Sequence, residues 1–232
     1  MSTTSILRFE NVSLTAHLPY ALDLAEVSFE LDAGELGLVL TGHNTEGLPL
    51  ADLASGLVAP DAGVVRFQDE DWQALHPDAA TVARGNIGRI FDKRGWISNL
   101  DVDENITLAQ RHHTTRPEAE IEAEALAFAK LFGFDDLPRV RPALLRPAEL
   151  RRSSWVRALV GTPALILLEH PLRDLAANSA PPLVAAVQAE CARGAAALWF
   201  AESFQGLEHP RAVFSKVWKL EGARLAATKE SA

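Results

Sequence analysis

Cysteine is almost absent from the sequence, and its absence excludes two kinds of structure. The 232 residues contain one cysteine, Cys191. A single cysteine cannot form an internal disulfide, and it cannot supply the several thiolates of a cysteine-based zinc site. We therefore expect Cys191 to be a small buried residue in a helix of a protein that is stabilised by an ordinary hydrophobic core.

Long apolar runs are also missing. The sequence has no run of about 18 apolar residues, the length that a membrane-spanning helix needs. The N-terminal segment MSTTSILRFENVSL lacks the basic stretch and the apolar stretch of a secretory signal. These two absences predict a cytoplasmic location.

Positive charge is scarce in the first part of the chain. The formal net charge is -9, no lysine or arginine stands between Arg8 and Arg66, and the first lysine is Lys93. Nucleic acids are bound mainly by clustered lysine and arginine side chains. The composition therefore argues against a nucleic acid as the partner.

Three apolar segments predict buried strands of a parallel sheet: ELGLVL (35–40), ALILLEHP (164–171) and AALWFAES (196–203). The segment between the last two, NSAPPLVAAVQAECARG, has helical spacing, and Gly194 is a suitable stop. Strand, helix and strand in this order predict a right-handed parallel crossover. The shorter runs ILRFENVSL, AEVSFEL and GVVRF predict further strands in the first third.

The middle of the chain predicts helices with little strand between them: DVDENITLAQRHH, PEAEIEAEALAFAKLFGF and PAELRRSSWVRALVG. Residues 1–91 and 164–232 are therefore predicted to form an α/β core, and residues 92–163 an inserted helical subdomain. All 232 residues would then belong to one domain.

The order of these segments resembles an ATP-binding cassette, the nucleotide-binding subunit of an ABC transporter. The resemblance rests on seven segments in the family's order and near its spacing: LRFENVSL, AEVSFELDAGEL, the loop at Gly42, SGLVAPDAGVVRF, NIGRIFDKRGWISNLDVDENITL, VRALVGTPALILLEHPL and VWKLEGARL. It implies a P-loop NTPase-like α/β fold with a parallel core sheet, an antiparallel β subdomain and an inserted helical subdomain. It also implies transmembrane permease subunits and a second cassette as partners, in a homodimer or a heterodimer, at the inner face of the cell membrane.

The family's phosphate loop has the pattern G-x-x-x-x-G-K-[ST], in which the lysine and the hydroxyl serve the phosphates and magnesium. Here Gly42 and Gly47 keep the glycine spacing, but Leu48 and Pro49 stand at the lysine and hydroxyl positions. No lysine or arginine lies near this loop in the sequence, and Glu46 adds a negative charge. The positions of the altered loop are Gly42, His43, Asn44, Thr45, Glu46, Gly47, Leu48 and Pro49.

The other motifs of the family also differ. By the resemblance, Glu169 takes the magnesium-organising position, His170 the catalytic carboxylate, Glu202 the switch histidine and Asp92 the glutamine that senses magnesium and water. The exchange at His170 and Glu202 suggests that these two side chains pair with each other. The signature motif aligns with Leu145, Arg146, Pro147, Ala148 and Glu149.

Three interpretations follow from these differences. In the first, the chain is a catalytically impaired or inactive cassette with no expected cofactor, which couples to or braces the membrane subunits. In the second, it is an active transport ATPase with unusual ligands, using ATP and magnesium with Glu169 at the metal and His170 as the base. In the third, it is a soluble scaffold or regulator that uses the fold.

Three further residues are candidates for contacts. Trp96 falls where the resemblance places a groove for the membrane subunit, so Trp96 and Ile97 are candidate interface residues, and a core role for Trp96 is equally open. Tyr20 could stack on an adenine or simply pack. The segment GWISNLDVDENITL is similar to cassettes of lipid-trafficking transporters of the mammalian-cell-entry type, which suggests a lipid cargo.

Overall fold

The computed structural model describes residues 5–42, 47–93, 95–204, 207 and 210–228. Within these ranges one sheet is antiparallel and has the strand order β2-β1-β4-β5. Its strands are β1 (Ser5–Leu14), β2 (Leu24–Asp32), β4 (Ala62–Phe67) and β5 (Glu70–Asp71).

The second sheet is the parallel core that the sequence predicts. Its strands are β3 (Leu36–Leu40), β6 (Ile87–Ile90), β7 (Leu165–Glu169), β8 (Ala196–Ala201), β9 (Lys216–Glu221) and β10 (Arg224–Ala227). They lie in the order β10-β9-β3-β8-β7-β6, and all neighbours are parallel except β9 and β10. Two sheets of this kind together with helices confirm the predicted fold class.

The helices are α1 (Leu50–Ala54), α2 (Pro77–Arg84), α3 (Val102–His113), α4 (Glu118–Leu131), α5 (Pro147–Leu159), α6 (Ala180–Ala192) and α7 (Pro210–Val213). Two single 3₁₀ turns lie at Pro142–Leu144 and Ala177–Ser179. Helices α3, α4 and α5 follow one another between β6 and β7, as expected from the three helical segments in the middle of the sequence. None of the described helices is both long and apolar enough to cross a bilayer.

The central strands β3, β7 and β8 of the core sheet are buried on both faces, and alternate residues enter two different apolar clusters. Leu38, Ile166 and Trp199 pack with α3 to α6, whereas Val39 and Leu167 pack with the antiparallel sheet and α1. This alternation follows from the two-residue repeat of a strand. It also explains why these strands are apolar almost throughout.

The carboxyl ends of the parallel strands meet at one edge of the core sheet. Leu40 is opposite Ala201, Ile90 is opposite Leu168, and Glu169 is opposite Phe200. Ligands of open α/β sheets bind outside this edge. The loops that follow β3, β6, β7 and β8 therefore surround the candidate site.

Candidate functional site

A cavity of about 510 Å³ lies at this edge of the core sheet. One wall is formed by Gly47 and Leu48, which precede α1, and another by the ends of β6 and β7. Three of the predicted site positions outside the loop, Asp92, Glu169 and His170, line this cavity. The fourth, Glu202, lines an adjoining cavity of about 300 Å³ together with His170.

The glycines of the altered loop have the backbone conformation for which glycine is suited. Gly42 has φ 74° and Gly47 has φ 77°, in the left-handed region that other residues avoid. Leu48 packs against the apolar cluster around α1, and Pro49 is the N-cap residue immediately before this helix. The predicted loop positions His43, Asn44, Thr45 and Glu46 lie outside the described residues.

The segment Pro19–Ala21 lies directly against the loop. A side chain on Gly47 would place its Cβ 2.5 Å from the carbonyl oxygen of Pro19, and the backbone amide of Ala21 donates to the carbonyl of Gly47 over 3.3 Å. The Tyr20 hydroxyl donates to Asp52 Oδ2 over 2.7 Å. Burial and this hydrogen bond raise the pKa of Tyr20, so the hydroxyl is neutral at physiological pH. The stacking of Tyr20 on an adenine stays a prediction.

Arg89 is one of the cavity residues that the sequence did not reveal, together with Asp52, Phe91 and Lys93. Its Nε lies 2.6 Å from Glu169 Oε1, and its Nη1 lies 2.7 Å from Asp52 Oδ1. Nη1 also donates to the Ser55 hydroxyl over 3.2 Å, and the guanidinium lies 4.5 Å from the centre of the Phe91 ring. The side chain is 10% exposed. Burial alone lowers the pKa of Arg89, but Glu169 and Asp52 more than offset it, so the guanidinium is charged.

Glu169 is a carboxylate that is already paired. Burial raises the pKa of Glu169, and the adjacent Arg89 guanidinium opposes that rise. The position that the resemblance assigns to magnesium is thus occupied by an ion pair between β6 and β7. Across the described ranges, no group of three or more His, Cys, Asp or Glu side chains is arranged to hold a metal ion.

A second ion-pair network lies beside His170. Arg173 forms an ion pair with Asp92, and its Nη2 lies 3.9 Å from Glu202 Oε1. Arg151 donates to the backbone carbonyls of Phe91 and Asp92. Arg173 is thus one charge next to Glu202, and Glu202 also acts electrostatically on His170. The pairing of His170 with Glu202 stays a prediction.

His170 should make stability depend on pH. Burial lowers the pKa of His170, Asp92 and Glu202 oppose this, and Arg173 and Arg151 reinforce it. The unfolded chain, with an ordinary histidine pKa of about 6.5, therefore takes up the proton first as the pH falls. The contribution of His170 to stability is present above the unfolded-state pKa and is lost as the pH falls through it.

The test is His170→Asn, because asparagine tolerates the positive φ of this residue (43°). We expect the free energy of unfolding to fall less between pH 7.5 and pH 5.5 in this variant than in the wild type, measured by urea denaturation. Parallel curves for the two proteins would contradict the assignment. Groups distant from His170 contribute equally to both proteins, so the difference reports on His170 together with the charges beside it.

The predicted signature residues begin α5. Arg146 precedes the helix, Pro147 is its first residue, and Glu149 accepts hydrogen bonds from the Arg146 backbone amide (3.1 Å) and Nη2 (2.6 Å). These hydrogen bonds lower the pKa of Glu149 to about 2, and the one from the Arg146 side chain has the larger effect. Leu145 and Pro147 line a separate cavity of about 340 Å³, and Ala148 lies in the first turn of the helix.

The candidate interface residues have different surroundings. The Arg157 guanidinium lies 4.4 Å from the centre of the Trp96 ring, and Trp96 also packs on the apolar cluster of the helices. The Ile97 side chain is 44% exposed, and its backbone amide donates to Asn105 Oδ1 over 2.9 Å. A packing role for Trp96 is therefore present in the structure, and its role at an interface stays a prediction.

Comparisons with known proteins agree with one another. A family model described as ABC transporter matches residues 24–173. The sulfate/thiosulfate import ATP-binding protein CysA of Bordetella pertussis is 33% identical over 158 residues, which are 67% of this chain and 43% of that protein. The molybdate/tungstate import ATP-binding protein WtpC of Pyrococcus horikoshii is 26% identical over 161 residues, 69% of this chain and 45% of that protein. The matches thus span less than half the length of these relatives.

A solved structure supports the fold. The dimeric structure of a post-hydrolysis state of an ATP-binding cassette, bound to ADP and Pi, has a TM-score of 0.81 at 19% identity. The match covers 95% of this chain and 96% of that one. At this identity the likeness concerns the fold alone.

The expectation that no cofactor is bound is wrong. The relatives are named as ATP-binding proteins, and the matched cassette is bound to ADP and Pi. The physical reason for the error is that the prediction considered only cations near the loop in sequence. Folding brings Arg89, from a strand that follows the loop by about forty residues, into the same cavity.

Proposed function

The chain belongs to the ABC transporter family, and on that premise we propose that it is the cassette subunit of a membrane transporter, which binds ATP but hydrolyses it too slowly to drive transport by itself. The single observation that carries this proposal is the Arg89–Glu169 ion pair. It places a cation in the nucleotide cavity while engaging the carboxylate on which the family's chemistry depends.

Two features of the cavity support ATP binding. The first is its size of about 510 Å³ at the strand ends where this fold binds its ligands. The second is the composition of its lining, which combines the Tyr20 ring with the Arg89 guanidinium. An aromatic ring and a guanidinium suit a base and a phosphate respectively.

The residues of the cavity fit a metal ion less well than they fit ATP. Glu169 and Asp52 are both paired with Arg89, and Pro49 has no hydroxyl to offer. We therefore assign no step to magnesium, which enters the experiments as the ion that accompanies ATP.

The same contacts support slow hydrolysis. Phosphoryl transfer depends on positioning and on charge stabilisation, so each displaced group reduces the rate. Glu169 is held by Arg89, Asp92 is held by Arg173, and His170 replaces a carboxylate in the aligned motif. The lysine position of the loop is Leu48, which packs against apolar side chains.

The names of the relatives support a role in transport. CysA and WtpC are import ATP-binding proteins, and we propose by analogy that this chain works with transmembrane permease subunits at the inner face of the cell membrane. The dimeric cassette supports pairing with a second cassette. Residues 92–163 would be the helical subdomain that meets the permease, with Trp96 and Ile97 at the contact. A lipid cargo is supported only by the segment GWISNLDVDENITL.

The experiment measures binding and turnover on the same preparation. We expect calorimetric titration with ATP and magnesium chloride to give saturable binding, and a phosphate-release assay to give no signal above a protein-free blank. Turnover near the common enzymatic value of about 10 per second would instead favour the active ATPase with unusual ligands. Absence of binding would favour the scaffold.

A further inference from the structure

We propose that Arg89 is the residue that binds the nucleotide phosphates, in place of the lysine that the loop lacks. This inference rests on the proposed binding of ATP, and it names one side chain that contacts the phosphates in a cavity that Lys93 also lines. It assigns a ligand-binding role to a strand residue that no part of the loop motif would identify.

The strand register points the Arg89 side chain toward the loop. Arg89 is paired with Leu167 in the neighbouring strand, and Leu167 packs on the face of the core sheet that carries α1. Ile87, two residues earlier, packs on the same face. The side chain therefore extends toward α1 and shares the cavity lining with Gly47 and Leu48.

The guanidinium is fixed in place and retains donors. It has five N–H groups. Nε contacts Glu169, and Nη1 contacts Asp52 and Ser55. Within the part of the chain that the structure describes, Nη2 makes no hydrogen bond. Its two N–H groups remain for phosphate oxygens, while the two carboxylates and the Phe91 ring keep the guanidinium from turning away.

The charge of the cluster sets the expected strength. One guanidinium between two carboxylates leaves the cluster with a formal charge of -1. The N–H groups of Arg89 would attract a phosphate, while the net negative charge of the cluster would repel it. Replacing the carboxylates with their amides removes the repulsion and keeps the shape. Asp52→Asn combined with Glu169→Gln, called the amide pair, should therefore bind ATP more tightly than the wild type does.

The test compares the amide pair with the same pair carrying Arg89→Gln. The triple variant has neither the carboxylates nor the cation at this place, whereas the amide pair keeps a charged Arg89 that faces amide oxygens. The folding of both proteins is therefore checked by thermal denaturation before binding is compared. We expect the added Arg89→Gln to weaken ATP binding about tenfold or more, the usual effect of a lost hydrogen bond from a charged donor. Adenosine has no phosphate for Arg89 to contact, so its affinity should change less than about twofold.

The outcomes separate the two proposals. If the wild type binds no ATP, the proposed function fails and the inference fails with it. If the wild type binds ATP and both variants bind it equally, only the role of Arg89 is overturned. An equal loss of ATP and adenosine affinity would also overturn it, because Arg89 would then shape the cavity without contacting phosphate. Relative to the variant with Arg89→Gln, Arg89→Lys in the amide pair should recover part of the ATP affinity. Lysine restores the positive charge but lacks the planar set of N–H donors of a guanidinium.

Discussion

Replacing Arg89 alone with methionine should lower the free energy of unfolding by about 3–5 kcal/mol, the usual cost of breaking a buried ion pair. The substitution leaves Asp52 and Glu169 without a cation, with side chains that are only 25% and 17% exposed. Urea denaturation at pH 7.5 measures the loss. The deficit should shrink at pH 5, because unpaired carboxylates gain protons as the pH falls.

The matched control is Arg224→Met. Arg224 pairs with Glu26 over 2.7 Å, but both side chains are about two-thirds exposed, 68% and 65%. Such a pair contributes about 0–1 kcal/mol, so this variant should be close to the wild type in stability. Equal effects at Arg89 and Arg224 would contradict the picture of a buried cluster. Restoration of stability by the additional changes Asp52→Asn and Glu169→Gln would support it.

Trp155→Ala should cost about 3–5 kcal/mol in the free energy of unfolding, the usual range for removing a fully buried tryptophan. Trp155 is 1% exposed, and its ring meets that of Phe132 edge to face at 5.2 Å. Its indole N–H also donates to the carbonyl of Pro171 over 2.9 Å. Because Pro171 directly follows His170, this tryptophan fixes the chain beside the site.

Trp155→Phe separates the packing of the Trp155 ring from the hydrogen bond of its indole N–H. It keeps an aromatic ring in the core and leaves the carbonyl of Pro171 without its donor, which costs about 1–3 kcal/mol for a buried group. Denaturant unfolding of both variants gives the comparison. A loss below about 1 kcal/mol for Trp155→Ala would show that α5 does not depend on this contact.

The parts of the fold that depend on local pattern could be predicted from the sequence. The buried strands β3, β7 and β8 have continuous apolar runs, and α6 ends before Gly194, whose φ is 104°. The extent of α1 was less predictable. The apolar spacing of LPLADLASGL continues to Leu57. Helix α1 nevertheless ends at Ala54, because the Ser55 hydroxyl donates to the carbonyl of Ala51 and Gly56 turns the chain with φ 63°.

The site was predictable where the motif order places residues at strand ends. Asp92, Glu169 and His170 were expected near the loop, and they line its cavity. Arg89 could not be found in this way, because its partners Asp52 and Glu169 are 37 and 80 residues away in sequence. Glu169 meets Arg89 through the pairing of β6 with β7, and Asp52 meets it from helix α1. The one available signal was an arginine inside the apolar strand IGRI, since a charge at a buried strand position needs a partner.

We propose that this cassette holds ATP and leaves it intact. The direct measurement is to mix the protein with an equal amount of ATP and magnesium chloride for one hour, separate the protein by gel filtration, and identify the bound nucleotide by chromatography. We expect intact ATP in the protein fraction. ADP with an equal amount of free phosphate would contradict it, and so would a protein fraction without nucleotide.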